Sequence, residues 1–401
     1  MISLEEALRR VLTDLHPLES EGIPISQAQG RIAAESILSP MEVPPFDNSA
    51  MDGYAVRSED VQNASPSQPM TLQIVGRLAA GSDSQFTLGA GQAVRVFTGS
   101  PVPPGSDAVV MQEDTQPLPS DPNAVLVLDA AKPFENMRLR GEDIKKAALL
   151  VAKGSVLGFA QLGVIAAVGL DQVRVIAKPL VGIVATGSEL REPGSPLLPG
   201  QIYESNRIAI ASLLRSCGVD AKIYPLVPDS LEETQRSLAL ACDECDVVLT
   251  TGGVSVGDYD YVKDAFTRIG GVIDVWRIAV KPGKPFVFGH RKAVPLFGLP
   301  GNPVSAAVAF QLLVRPALAR LRGILNWHPR TLRGVTGEPL RNSADRRHFM
   351  RVSQRSDGTI ASAGPQGSHV LSSLCTSIGL LDMPPQSLIP TGAAVEVITW
   401  E

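Results

Sequence analysis

The residues with the most evident chemical potential lie in one glycine-rich stretch, Thr250 to Asp260, TTGGVSVGDYD. It follows the apolar run Val247-Val248-Leu249 and precedes a helical pattern of Tyr261, Ala265, Phe266 and Ile269. Strand, glycine-rich loop, helix is the geometry in which backbone N–H groups surround an anion. Gly252 and Gly253 carry no Cβ, so a ligand can come close to the main chain, and Ser255 sits on the same loop. Asp258 and Asp260 put carboxylates at its far end, where Mg²⁺ bridging protein to phosphate needs oxygen ligands. Three more loops follow predicted strands: Thr186-Gly187-Ser188-Glu189, Lys281-Pro282-Gly283-Lys284-Pro285, and Leu299-Pro300-Gly301-Asn302-Pro303-Val304-Ser305. In the last, Asn302 stands as an N-cap and Pro303 takes the first helical position. A helix N-terminus carries roughly half a positive charge. Lysines at i and i+3, held by prolines, add two point charges, which suits a multiply charged anion. Each loop alone has a plainer reading: glycines that turn a corner, solvated lysines, a GNP that only starts a helix. Four such loops at one sheet edge outweigh it.

The elements that must position these loops follow from the pattern of the chain. Ser3 to Leu15 predicts an amphipathic helix opened by a Ser3/Glu6 capping box, and Ser26 to Ile37 a second short helix. From Met41 to Asn136 short strands punctuated by Gly and Pro predict a small all-β segment, and Phe159 to Val168 another helix. The helical pieces flanking the β segment are expected to pack together, leaving it inserted between them. Between Val173 and Arg322 strands and helices alternate. Strands are predicted at Leu180–Ala185, 221–227, 247–250, 272–279, 285–289 and 295–298. Helices are predicted at 207–216, with Gly218 as C′, at 229–241, at 261–269, and at 303–321. Asp229 and Glu232 have capping-box spacing. This alternation predicts a three-layer α/β domain with a mostly parallel sheet, which binds ligands at the carboxyl ends of its strands. After Trp327 short strands indicate a small C-terminal β domain. The expected division is 1–40 with 137–175, 41–136, 176–326 and 327–401.

Composition sets the outer bounds. The 401 residues are 44% hydrophobic and 19% charged, a globular balance, and a net charge of −5 gives no basic field for nucleic acid. No apolar run is read as spanning a membrane, and the N-terminus reads as a helix start rather than a signal peptide. Four cysteines make no disulfide scaffold, consistent with a cytoplasmic location; the Cys242/Cys245 CxxC reads as lining a buried helix end. The five histidines show no metal spacing, and there is no Ser-His-Asp elbow or GxxxxGK[ST].

Longer motifs occur together and in order: PPFDNSAMDGYAVR (44–57), FTGSPVPPGSDAVVMQED (97–114), RGEDI (140–144), ATGSEL (185–190), IYESN (202–206), TTGGVSVGDYDYV (250–262), KPGKPFVFG (281–289), GLPGNPVSA (298–306) and GPQGSH (364–369). With them the chain resembles, over essentially its whole length, the molybdopterin molybdenumtransferase (MoeA) family, which includes the E domain of gephyrin. The resemblance implies an elongated multidomain α/β plus β chain with a molybdopterin-binding α/β domain of the MoaB/Mog type. It implies the last step of molybdenum cofactor synthesis, in which molybdate enters adenylated molybdopterin and AMP is released with Mg²⁺. It also implies a homodimer whose active sites are shared between subunits, with the molybdopterin adenylyltransferase as a candidate partner. Carried onto this sequence, Glu189 and Asp260 are the Mg²⁺-side carboxylates, and Asp229 is an acidic active-site position. Lys281, Lys284, Ser305, Arg351 and Ser368 form the molybdate pocket, while Asp52, Thr98 and Asp143 are positions in the partner-facing half. By their residues alone, Asp52 reads as a turn residue and Asp143 as a surface ion-pair candidate. Arg277 stands where many relatives have lysine; the charge is kept and the point-charge geometry is not. An adenylyltransferase, a receptor-anchoring scaffold and a phosphate-binding regulatory module are the competing functions.

Overall fold

Apolar side chains in four buried strands, flanked by two more exposed edge strands, build the central unit. The computed structural model describes residues 1–83, 85–254, 261–325 and 327–400. Its principal sheet runs in the order Asp220–Ile223, Leu180–Ala185, Val247–Thr251, Val294–Leu299, Val287–Arg291, Val272–Trp276. The first four are mutually parallel, and only Val287–Arg291 runs against them. Because successive strand residues face opposite sides, Val181, Ile183, Val247, Leu249 and Phe297 enter one core and Val184, Val248 and Leu296 the other. The first core is covered by Asn206–Ser216, by the helical run that starts at Pro303, and by the N-terminal helix Leu4–Thr13. The second lies under Leu231–Glu244 and Val262–Arg268. Three layers result, and the carboxyl ends of four adjacent parallel strands share one edge.

Of the other units, the C-terminal domain contributes residues to the cleft at that edge. Residues 41–136 form a six-stranded mixed sheet around Ala55, Val94, Val109 and Val125. Ser20–Pro24 pairs with Gln172–Ile176, and Ile37–Leu38 with Leu149–Val151, closing a small core with helix Phe159–Ala167. The C-terminal sheet begins, unusually, with Val280–Lys281 from the α/β unit, parallel to Arg347–Gln354. That pairing fixes the KPGKP loop between the α/β unit and the C-terminal sheet.

Several expectations need correction. The helix expected over 26–37 is absent: Ile32, Ala33 and Ile37 instead bridge to Val156, Val175 and Val151, residues more than a hundred positions away. The N-terminal helix packs on the α/β core rather than with the pieces flanking the insert; Arg347 ties it to the C-terminal sheet through Glu5 and Asp382. The 303–321 run is helical throughout but passes through a π-helical turn, Phe310–Val314. It is long and apolar enough to cross a membrane by composition, contrary to the sequence reading, yet 89% of that stretch is buried inside the protein. It is a core helix.

Candidate active site

A cleft of about 1230 Å³ opens at the carboxyl edge of the parallel strands. The chain leaves Ala185 into Thr186–Glu189, Thr251 into Gly252-Gly253, and Leu299 into Pro300–Pro303, and all three loops line it. Asp229, Lys281 and Lys284 complete the α/β side, and Gln366, Gly367 and Ser368 enter from the C-terminal domain. Close packing of the loops depends on glycine. Gly252 has φ +85°, and a Cβ there would stand 2.7 Å from the Thr186 carbonyl oxygen. Gly252 N–H donates to the Leu299 carbonyl, and Thr186 N–H to that of Thr251, so neighbouring loops are stitched through their backbones.

The carboxylates have distinct surroundings. Asp229 does not cap its helix as its spacing predicted: Ser230 does, accepting from the Glu233 N–H. Asp229 instead accepts from the Ser188 N–H at 3.0 Å, while its own N–H donates to Ser188 Oγ at 2.9 Å. This reciprocal pair turns the Asp229 loop toward the Thr186–Glu189 loop. Glu189 is exposed on the cleft wall and has no ion-pair partner among the described residues. Glu204, by contrast, is 3% exposed and neutralised by Arg207, which also holds Glu192 and the Tyr224 carbonyl. Within the IYESN motif nothing in residue type marks Glu204 or Asn206 as functional; only their position at a strand-to-helix junction singles them out.

The cationic side is equally uneven. Lys281 and Lys284 line the cleft with no carboxylate in salt-bridge range among the described residues. Asn302 stands at the expected N-cap position, but its side chain accepts no capping hydrogen bond; its Nδ2 donates to Ser368 Oγ at 3.1 Å. Pro303 does take the first helical position, and Ser305, in the same first turn, is 4% exposed. Arg277 turns away onto the Trp276 ring, 4.2 Å from its centroid.

Of the remaining expected residues, Arg351 is 1% exposed and does not line the cleft. It donates to the carbonyls of Pro365 and Gly367 at 2.8 and 3.1 Å, so it acts on the cleft through the loop that carries Ser368. Asp52, Thr98 and Asp143 also lie away from this chain's cleft lining. Asp52 accepts from the Thr98 N–H and hydroxyl at 2.8 and 2.9 Å, which, with Arg95 nearby, holds its carboxyl below the usual carboxylate range. Ser255, Asp258 and Asp260 fall outside the described residues. Among the described residues no group of three or more His, Cys, Asp or Glu side chains is placed to hold a metal. Glu189 and Asp229 are the cleft-lining carboxylates without an ion-pair partner among the described residues, and one or two carboxylates completed with water and phosphate oxygens are a common way to hold magnesium.

Comparison with known proteins decides the family. Three family models match in order: MoeA N-terminal region (domain I and II) over residues 2–169, probable molybdopterin binding domain over 182–320, and MoeA C-terminal region (domain IV) over 333–400. A molybdopterin molybdenumtransferase of Haemophilus influenzae is 38% identical over 383 residues, covering 94% of this chain and 93% of its own. The chain belongs to the molybdopterin molybdenumtransferase family. Molybdopterin molybdenumtransferase 2 of Mycobacterium tuberculosis is 35% identical over the full length of both chains. A crystal structure of a molybdopterin biosynthesis MoeA protein from Pyrococcus horikosii superposes with a TM-score of 0.88 at 34% identity, covering 100% of this chain and 99% of that one. The architecture is that of the family: N-terminal regions, a molybdopterin-binding α/β domain and a C-terminal β domain.

Proposed function

We propose that the chain is a transferase of molybdenum cofactor biosynthesis that inserts molybdenum from molybdate into molybdopterin. Its substrate is the adenylated form of the pterin, and AMP is released as molybdenum enters. The observation that carries this reading is the meeting of two lysines without an ion-pair partner among the described residues, a buried serine hydroxyl at a helix start, and the Glu189 and Asp229 carboxylates in one cleft. Molybdate and the phosphate linkage are both anionic, so Lys281, Lys284 and the N-terminus at Pro303 attract and orient them. Holding the oxyanion beside the dithiolene turns an encounter between two solutes into a reaction within one site. Glu189 and Asp229, with Asp260, would hold Mg²⁺, which supplies Lewis-acid polarisation of a phosphoryl oxygen when bound. Asp52, Thr98 and Asp143 complete the site from the second chain of a homodimer, which accounts for their distance from this chain's own cleft.

Incubation of the purified chain with adenylated molybdopterin and Mg²⁺ tests the reading. AMP release that requires molybdate supports insertion. ATP consumption with free molybdopterin would instead make it an adenylyltransferase, and binding without turnover would reduce it to a binding module.

A further inference from the structure

We infer that Asn206 is a positioning residue for the oxyanion loop, fixing through its amide nitrogen the Gly301 peptide that faces the cleft. The inference deepens the proposed function and rests on it for the identity of the anion. Asn206 opens the helix Asn206–Ser216, is 9% exposed, and lines the cleft. Its Nδ2 donates to the Gly301 carbonyl oxygen at 2.7 Å. A carbonyl only accepts, so the amide cannot be turned over without setting oxygen against oxygen, and its orientation is fixed.

That orientation leaves Asn206 Oδ1 buried with no hydrogen-bond partner among the described residues. A buried carbonyl lacking a donor costs at least as much as one hydrogen bond returns. As a stability device the contact is close to neutral, and its consequence is geometric. Pro300 and Pro303 have fixed φ, whereas Gly301 has no side chain and only the Gly252 Cα near where a Cβ would stand. Gly301 is therefore the position at which the loop can swing, and Asn206 grips that residue. In a trans peptide the N–H points opposite to the C=O, so anchoring the Gly301 oxygen also sets the direction of the Asn302 N–H. The Asn302 side chain is anchored in turn on Ser368 Oγ. The loop is strapped from the α/β helix on one side and from the C-terminal domain on the other.

Asn206→Ala and Asn206→Asp test this together. Alanine is tolerated at a first helical position and removes the orphaned oxygen, so Asn206→Ala keeps a thermal midpoint near the parent's, whereas Asn206→Asp sets a carboxylate oxygen against the Gly301 carbonyl and lowers it. Alanine removes both polar atoms; aspartate keeps the shape and the acceptor and loses the donor. Two readouts are taken: amide hydrogen exchange over residues 301–306 without ligand, and calorimetric titration with molybdate. Both variants should exchange faster than the parent in that segment and bind molybdate about tenfold more weakly. Parent-like exchange in both variants would overturn the inference. So would an aspartate variant that keeps parent affinity while alanine loses it, since the oxygen would then be the working atom. If the unaltered chain binds no molybdate, the proposed function fails, and the exchange comparison still decides the strap.

Discussion

At the scale of single residues, the cleft separates groups that shape it from groups left available to a ligand. Glu204 and Arg207 neutralise each other in the wall, whereas Lys281, Lys284 and Glu189 face the cleft without such partners among the described residues. Lys284 is exposed and its side chain makes no hydrogen bond or ion pair among the described residues, so Lys284→Ala should leave the thermal midpoint unchanged. Molybdate affinity should fall about tenfold, as for loss of one charge-assisted hydrogen bond, measured by titration. His348 gives a pH prediction. It is 2% exposed with neither ring nitrogen partnered among the described residues, and burial, with Lys281 and Arg351 nearby, pushes its pKa from 6.5 down to about 4. The folded state thus prefers the neutral ring. Its contribution is fully present above pH 6.5 and is lost as pH falls through 6.5 toward 4. His348→Gln, neutral throughout, should lose less stability over that range than the parent, by up to about 3 kcal/mol in denaturant titrations. Parallel curves would remove His348 as the source of acid sensitivity.

At the scale of elements, loop packing at the sheet edge has little slack. Gly252→Ala adds a Cβ against the Thr186 carbonyl in a left-handed conformation, and should cost about 2 kcal/mol or more in chemical denaturation. Elements of this kind were readable in the sequence where the signal is local. Leu180–Ala185 is a strand with the expected bounds because its buried apolar run is self-contained, and Gly218 takes the expected left-handed conformation after its helix. The four loops were found because Gly, Pro and Lys announce themselves by type. The stretch 26–37 was misread because its apolar residues pair with Val151, Val156 and Val175, and distant pairing leaves no periodicity in the segment itself. Asp229 was misread as a cap because its true partner, Ser188, lies 41 positions away. The same is true of Arg351 and Asn206, whose effects on the cleft pass through loops that only the fold brings near.

At the scale of the whole molecule, the cleft belongs jointly to the α/β unit and the C-terminal domain, joined by the Val280–Lys281 pairing and by Asn302 to Ser368. The insert's Asp52 and Thr98 lie elsewhere on the chain, which is where a site shared between two chains would leave them. Mixing an Asp52→Asn chain with a Lys284→Ala chain tests that arrangement. A shared site leaves one intact cleft in each mixed dimer, so activity should rise well above that of either variant alone. A site complete within one chain would leave the mixture as inactive as its parts. The most direct measurement of all is a crystal of the protein soaked with molybdate and recorded at the molybdenum absorption edge. An anomalous peak within hydrogen-bonding reach of Lys281, Lys284 and Ser305 is the result expected here. A peak on another face of the molecule, with that cleft empty, would contradict it.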